Sequence, residues 1–438
     1  MSQQTGLLAG FAKLDITPDY PVGLGGYSNA ESRRSVGIAE RIYATCIALT
    51  DGDETILMYT IDNCACARGI ANEIRTVVSA AVGIDGEKIF CAATHSHSAP
   101  SLFGHPEAAM YKNQLYAACA RGAQLALADR APAKIFAGTK RFPGMNFVRH
   151  VELENGVATG YAWKSFGSPI KDFFGPADDQ MVLVKFQREE KKDILLINWQ
   201  GHPDCSKQIG FELIAPSFVG PLRDTVAVGS GMEVAYFTGA DGNMIIDCGM
   251  FFPEKAHKLD WRRYGVKVGS LALETLGELK EMEGSGIVAK RKIVDVDVDH
   301  TWDDKVEQAN EVFALWKATD KPTGDALGKK YDFSSVYQAR AIRDRAKMPK
   351  TVELELNAFR VGPIGFTTGT YEMFAESGMQ VKEGSPYEVT FLLTGNSGYI
   401  PSQRNFAYRC YEADTGMYAP GTAEKLVEYY VQMLKEIQ

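Results

Sequence analysis

Residues 41–63 read RIYATCIALTDGDETILMYTIDN. Two apolar, β-branched runs flank the turn residues Asp51, Gly52 and Asp53, so the segment reads as a β-hairpin. The chain then changes period. Over residues 68–83, Ile70, Ile74, Val77 and Val78 recur on one side of a helix. The next run, KIFCAAT at 88–94, is a short apolar strand. Strand and helix signals therefore alternate locally, and the rest of the chain repeats the mixture. QMVLVKFQ (180–187) and DILLINWQ (193–200) form a second hairpin around the charged REEKKD, MEVAYFTG (232–239) is a buried strand, and 107–129 and 257–279 are helix candidates. IVAKRKIVDVDVDH (287–300) alternates, as a strand with one wet face does. TVELELNAFRVG, IGFTTGT and residues 388–394 are further strands, with helices near 373–383 and 422–437. The expectation is an α/β fold with a mixed central sheet flanked by helices. Residues 303–347 are charged and helical in pattern and read as a helical insertion covering a single catalytic body, 1–438, rather than a separate domain.

The chain has 438 residues, a formal charge of −8, 45% hydrophobic and 23% charged residues, and eight cysteines. These are ordinary globular values and exclude a disordered chain, a collagen-like fibre or a coiled coil. The acidic balance gives no basic stripe for nucleic acid and no strong attraction to anionic membranes. No stretch approaches 18 apolar residues, so no transmembrane segment is expected. With no basic n-region or cleavage site at its start, the sequence as written reads as cytoplasmic, or as secreted or periplasmic if a signal peptide has been removed. The scattered cysteines read as buried free thiols. Composition is compatible with a homo-oligomer and a small-molecule or lipid-like substrate.

Several chemistries are absent. There is no G-x-S-x-G elbow. Gly324, Gly328 and Lys329 imitate a phosphate loop one residue short, and Gly23, Gly25 and Gly26 form a turn cluster rather than a dinucleotide fingerprint. Histidine is scarce, with seven in the chain. Two of them, His95 and His97, follow KIFCAAT directly. On extended backbone, residues i and i+2 share a face, so both imidazoles can approach one metal, or one can ligate while the other holds the water. The competing reading is a pair of polar loop histidines. His202, in LLINWQGHPD, also follows an apolar strand. His105, His150, His257 and His300 read as structural or surface residues. A catalytic zinc site needs an oxygen partner for such histidines. Glu372 follows the strand IGFTTGT, but on the residues alone an ordinary first-turn helix acid, favoured by the helix dipole, accounts for it better. Asp62, at the end of YTIDNC, reads as a turn cap.

At this point the motifs carry a resemblance. AGFAKLDITPDYPVGLGGY (9–27), ATHSHSAP (93–100), NWQGHP (198–203), YFTGADGNM (236–244), EMFAESGMQVKEGSP (372–386) and FLLTGNSGYIPSQRNFAYRCYE (391–412) are similar, in order, to segments of the neutral/alkaline, non-lysosomal ceramidase family of zinc amidohydrolases. The resemblance implies Zn2+ held by His95, His202, Glu372 and Tyr399. It places His97 beside the water on the metal, and Arg149, in VRHVELENG, orients the scissile carbonyl or the water. Such a metal makes hydroxide available near neutral pH. The implied activity is zinc-dependent hydrolysis of an N-acyl amide bond. Three features depart from the family. The chain ends about where the catalytic domain should, without a C-terminal immunoglobulin-like domain. The loop after His202 is Pro-Asp-Cys rather than Gly-Thr-Ser, and Asn243 replaces a frequent Asp. These bear on the substrate, and keep open a same-fold zinc enzyme acting on a sugar or small ester as hydrolase or lyase. A non-catalytic metal-binding protein and a metal-dependent barrel hydrolase are the remaining alternatives.

Overall fold

The computed structural model describes residues 6–27, 32–160, 168–246 and 259–438. In chain order its main elements are β1 (Leu7–Asp15), β2 (Tyr43–Asp51), β3 (Glu54–Ile61), α1 (Arg68–Val82), β4 (Ile89–Ala93), α2 (Ala108–Ala128), β5 (Ala131–Arg141), β6 (Gln180–Arg188) and β7 (Ile194–Trp199). These are followed by α3 (Val219–Ser230), β8 (Glu233–Thr238), α4 (Trp261–Thr275), β9 (Ile287–Asp297), α5 (Val306–Ala318), α6 (Lys321–Lys330) and α7 (Val336–Arg345). The chain ends with β10 (Thr351–Val361), β11 (Ile364–Gly369), α8 (Ala375–Gly384), β12 (Val389–Thr394) and α9 (Thr422–Glu436).

The large mixed sheet runs β8-β7-β6-β5-β1-β2-β3-β4, and a second sheet runs β9-β10-β11-β12. Strand alternation explains why two sheets stack. In β3, Leu57, Tyr59 and Ile61 face α1 and α2, whereas Ile56 and Met58 face the other way. In β7, Leu195, Ile197 and Trp199 face α3 and α4, whereas Ile194 and Leu196 join Phe359, Phe366 and Phe391 of the second sheet. The second sheet turns Leu354, Leu356 and Ala358 outward against α9. A strand apolar on both faces must be covered twice, and the result is helix, sheet, sheet, helix. The sequence reading anticipated the mixed sheet and its flanking helices but did not separate the two sheets.

The segment expected as a helical insertion forms three helices, α5, α6 and α7, around a small core, with Ala309, Val312, Phe333, Val336, Ala339 and Ile342 buried. Cys248 and His257 lie outside the described residues. The other seven cysteines are all buried except Cys64, which is half-buried.

Within the two large sheets three strand pairs are parallel: β3 with β4, β7 with β8, and β11 with β12. Each is joined through a helix, namely α1, α3 and α8. α1 buries Ile70, Ile74 and Val78 at helical spacing and stops at Gly83, whose left-handed backbone donates its N–H to the Ser79 carbonyl. Because paired parallel strands end together, each unit delivers its exit loops to one rim, where ligands of open α/β sheets bind.

The three rims meet. The Thr60 hydroxyl donates to the Tyr236 carbonyl at 2.6 Å, and the Thr238 hydroxyl to the Thr94 carbonyl at 2.8 Å. The two edge strands of the large sheet are thus side by side. Asn198 Nδ2 donates to the carbonyls of Phe237 and Leu392, and the Thr394 hydroxyl to that of Thr238, which ties in the second sheet.

Asp62 does more than cap a turn. It is fully buried, accepts the Tyr43 N–H and forms a two-pronged ion pair with Arg223 of α3 at 3.0 and 2.6 Å. This pair locks α3 to the end of β3 and leaves Asp62 a structural residue.

Candidate metal centre

The exit loops bring His95, His97, His202, Glu372 and Tyr399 to the common rim. His95 and His97 leave β4, and His202 leaves β7. The Nε2 atoms of His95 and His202 are 3.1 Å apart, those of His95 and His97 3.3 Å, and those of His97 and His202 3.2 Å. Donors about 2.0–2.1 Å from a tetrahedral zinc ion lie about 3.3 Å from one another, so the triangle has the dimensions of a metal cage.

The other ring nitrogens fix the tautomers. His95 Nδ1 lies 2.6 Å from the Cys64 carbonyl, and His202 Nδ1 3.2 Å from the Asp241 carbonyl. His97 Nδ1 has no hydrogen-bond partner among the described residues, and the exposed Asp204 carboxylate stands 3.7 Å from it. Carbonyls only accept, so the contacts of His95 and His202 assign their proton to Nδ1 and turn their Nε2 lone pairs inward.

His95 reaches this position by strain rather than extension. Its φ is +67°, a left-handed conformation that costs a non-glycine residue on the order of 1 kcal/mol. β4 ends at Ala93, so the common aim of His95 and His97 comes from this turn and not from strand periodicity. Gly26, at φ +90°, lies beneath His97; a Cβ there would sit 2.5 Å from the imidazole Cγ.

Glu372 and Tyr399 arrive together. They pair in a two-residue parallel ladder, Glu372–Met373 with Tyr399–Ile400, and the Glu372 N–H donates to the Gly398 carbonyl. Paired residues of such a ladder project to one face. Glu372 is therefore a bridge residue ahead of α8, not a first-turn helix acid. Its Oε2 lies 3.5 Å from His95 Nε2, is buried and has no hydrogen-bond partner among the described residues.

Asp241, at the exit of β8, was not singled out by the sequence. It is fully buried, both its carboxylate oxygens lack hydrogen-bond partners among the described residues, and Oδ2 is 3.5 Å from His202 Nδ1. The signal was present: it follows an apolar strand as His95 and His202 do, with an acid in place of an imidazole. Cys64 also borders the site, its sulfur 3.9 Å from His95 Nδ1.

The electrostatics suit a cation. Burial pushes Asp241 up to about 7. Burial pushes His97 down to about 3, and burial with the neighbouring His95 charge drives His202 well below the usual imidazole range. Burial works against a charged His95 too, but the Glu372 carboxylate outweighs it and raises that imidazole. Two neutral imidazoles, unpartnered buried carboxylate oxygens and inward lone pairs fit a divalent ion of zinc's N/O preference.

Arg149 stands beside this centre. Its guanidinium carbon is 5.3 Å from the Tyr399 ring centre, its Nε donates to Glu412 at 2.5 Å and its Nη2 to the Gly242 carbonyl at 2.7 Å. Asn243 supports the loop, with its Oδ1 accepting the Ala375 N–H.

The chain matches no protein-family model and no curated protein. Among solved structures, it is similar to a crystal structure of neutral ceramidase from Pseudomonas aeruginosa, with a TM-score of 0.74 and 17% identity over 98% of this chain and 74% of that chain. It is also similar to a ceramidase complexed with C2, at 0.71 and 16%, over 98% and 75%. The architecture described above is thus the fold of these ceramidase structures. No helix among the described residues is long and apolar enough to cross a membrane.

Proposed function

We propose that the protein is a ceramidase-like hydrolase that cleaves an N-acyl amide bond with a zinc ion. The observation that carries this reading is the convergence of three imidazole Nε2 atoms within 3.3 Å of one another beside the unpartnered carboxylate oxygen of Glu372. His95, His202, Glu372 and Tyr399 would hold the metal. Bound there, the ion would activate water near neutral pH and polarise a carbonyl oxygen.

The residues around it have separate tasks. His97, neutral and with its Nε2 lone pair facing the centre, takes a proton from the attacking water and returns it to the leaving amine. Arg149, always charged, orients the scissile carbonyl and stabilises negative charge developing on its oxygen. Asp204, 3.7 Å from His97 Nδ1, places a negative charge beside the imidazole that favours its charged form during this exchange. Its carboxylate accepts the Tyr27 hydroxyl at 2.5 Å.

A second reading, a polar non-lipid amide or ester substrate cleaved by the same residues, is favoured by the polar Asp204–Tyr27 pair beside His97. Asp204 and Tyr27 offer a charge and a phenol where an acyl lipid needs apolar surface. The test is a panel of N-acyl lipids, short acyl amides and acylated sugars, assayed with and without chelator. The proposal expects chelator-sensitive release of a free carboxylic acid and an amine. Turnover confined to acylated sugars would remove the N-acyl lipid reading, and turnover unaffected by chelation would remove the metal.

A further inference from the structure

Arg149 is not free to choose its direction. Its Nε–H and one Nη2–H are committed to Glu412 and to the Gly242 carbonyl, which occupies one edge of the guanidinium fork. Among the described residues the Nη1 end is left, and the guanidinium carbon stands 5.3 Å from the centre of the Tyr399 ring. Glu412 is itself fixed. It is fully buried, and its second oxygen lies 3.0 Å from His150 Nε2. His150 Nδ1 is 2.8 Å from the Tyr408 hydroxyl, which also bonds Asn405 Oδ1 at 2.8 Å.

The element carrying Glu412 is clamped from behind. It is a single helical turn, Tyr411–Thr415, capped by Cys410. The helical insertion grips it: Gln338 Nε2 donates to Asp414 and Arg345 Nη1 to the Gly416 carbonyl. The Tyr337 ring packs edge-on to Tyr411, which packs edge-on to Tyr399. A buried ion pair is weak evidence of stabilisation, since apolar residues of similar volume often replace one without loss. What this pair supplies is a direction. His150, Cys410 and Glu412 lie close enough to suggest a second metal cluster, but both imidazole nitrogens and both carboxylate oxygens already have partners, so the cluster reads as a brace.

We propose that Glu412, braced by His150 and by the insertion-backed turn at 411–415, is a positioning residue that fixes the Arg149 guanidinium against Tyr399. Only the kinetic part of its test rests on the hydrolytic reading above.

Two measurements decide it. The first uses arginine-15N-labelled protein with its metal bound, the Arg149 Nε–H resonance being assigned by its loss in Arg149→Lys. A fixed guanidinium gives a slowly exchanging resonance in the wild type, and Glu412→Gln should abolish its protection while bound zinc, measured by elemental analysis, is retained. The second is a double-substitution cycle on the N-acyl substrate. Glu412→Gln should lower kcat about 100-fold with KM little changed, as a misplaced catalytic group does. It should cost nothing further in an Arg149→Ala background. Should Glu412→Gln fail to fold, His150→Gln carries the same measurements, with a smaller effect of the same sign. Unaltered protection in both variants overturns the proposal. So do losses that multiply with Arg149→Ala, or a lowered Tm with kcat per folded molecule unchanged. A wild type that cleaves no N-acyl compound would overturn the hydrolytic reading and leave the resonance comparison to decide this one.

Discussion

The Nε2 atoms of His95 and His202 lie 3.1 Å apart although 107 residues separate them. One leaves the edge strand β4, and the other leaves β7, beside the opposite edge strand. They meet because the two edges come together and the three helix-linked parallel pairs end on the same rim. The chemistry inferred for this protein is a consequence of that topology.

His97 is the residue whose role separates binding from turnover. His97→Gln should retain zinc while kcat falls by about 100- to 10,000-fold, the range expected for loss of a general base. Elemental analysis beside steady-state kinetics checks this. Loss of zinc in the variant would make His97 a third imidazole ligand, which its Nε2 distances of 3.2 and 3.3 Å also accommodate.

Gly26→Ala tests the support under that ring. At φ +90° an added Cβ lies 2.5 to 2.8 Å from three His97 atoms, so the backbone strains and the imidazole must shift. We expect kcat to fall at least about 10-fold with zinc still bound, since small displacements of a catalytic group are costly. Wild-type kinetics in the variant would show that His97 needs no such floor.

The Asp62–Arg223 pair governs stability rather than chemistry. Asp62→Asn leaves a buried guanidinium without its counter-charge and should cost about 3–5 kcal/mol in denaturant unfolding. Arg223→Met should cost less in the Asp62→Asn background than alone, because the partner is already lost. Additive costs would mean that the two side chains act independently.

Acid should expose the Glu412 brace. Burial works to raise this carboxyl, but Arg149 and His150 outweigh it and hold it down to about 2, against an ordinary 4.5. A depressed carboxylate contributes stability that is fully present above its unfolded value and is lost as pH falls through its folded one. The window is therefore about pH 4.5 to 2, and the shift corresponds to on the order of 3 kcal/mol. Unfolding free energy of Glu412→Gln should change less with pH across that window than that of the wild type. Parallel curves would place the charge interaction elsewhere.

The legible parts of the chain were those where one physical signal dominated. The hairpin at 41–63, helix α1 and the strands ending before His95 and His202 declare themselves by apolar period and turn residues. β1 did not, although it sits at the middle of the large sheet. Its run LLAGFAKLD holds no β-branched residue and carries Gly10, which packing requires: a Cβ there would lie 2.0 Å from the Ala126 carbonyl of α2. The second sheet stayed hidden because a strand buried on both faces does not say what covers each face. Glu372 and Tyr399 were reachable only through resemblance, since acids and tyrosines are common and the ladder that pairs them is two residues long. Glu412 gave no local cue, because its partners Arg149 and His150 are more than 260 residues away.

The most direct measurement is zinc stoichiometry after dialysis against zinc and then against metal-free buffer. The account predicts about one tightly held ion per chain in the wild type, and none in His95→Ala or His202→Ala variants that keep wild-type circular dichroism. A wild type that retains no metal, or folded variants that retain as much as the wild type, would contradict it.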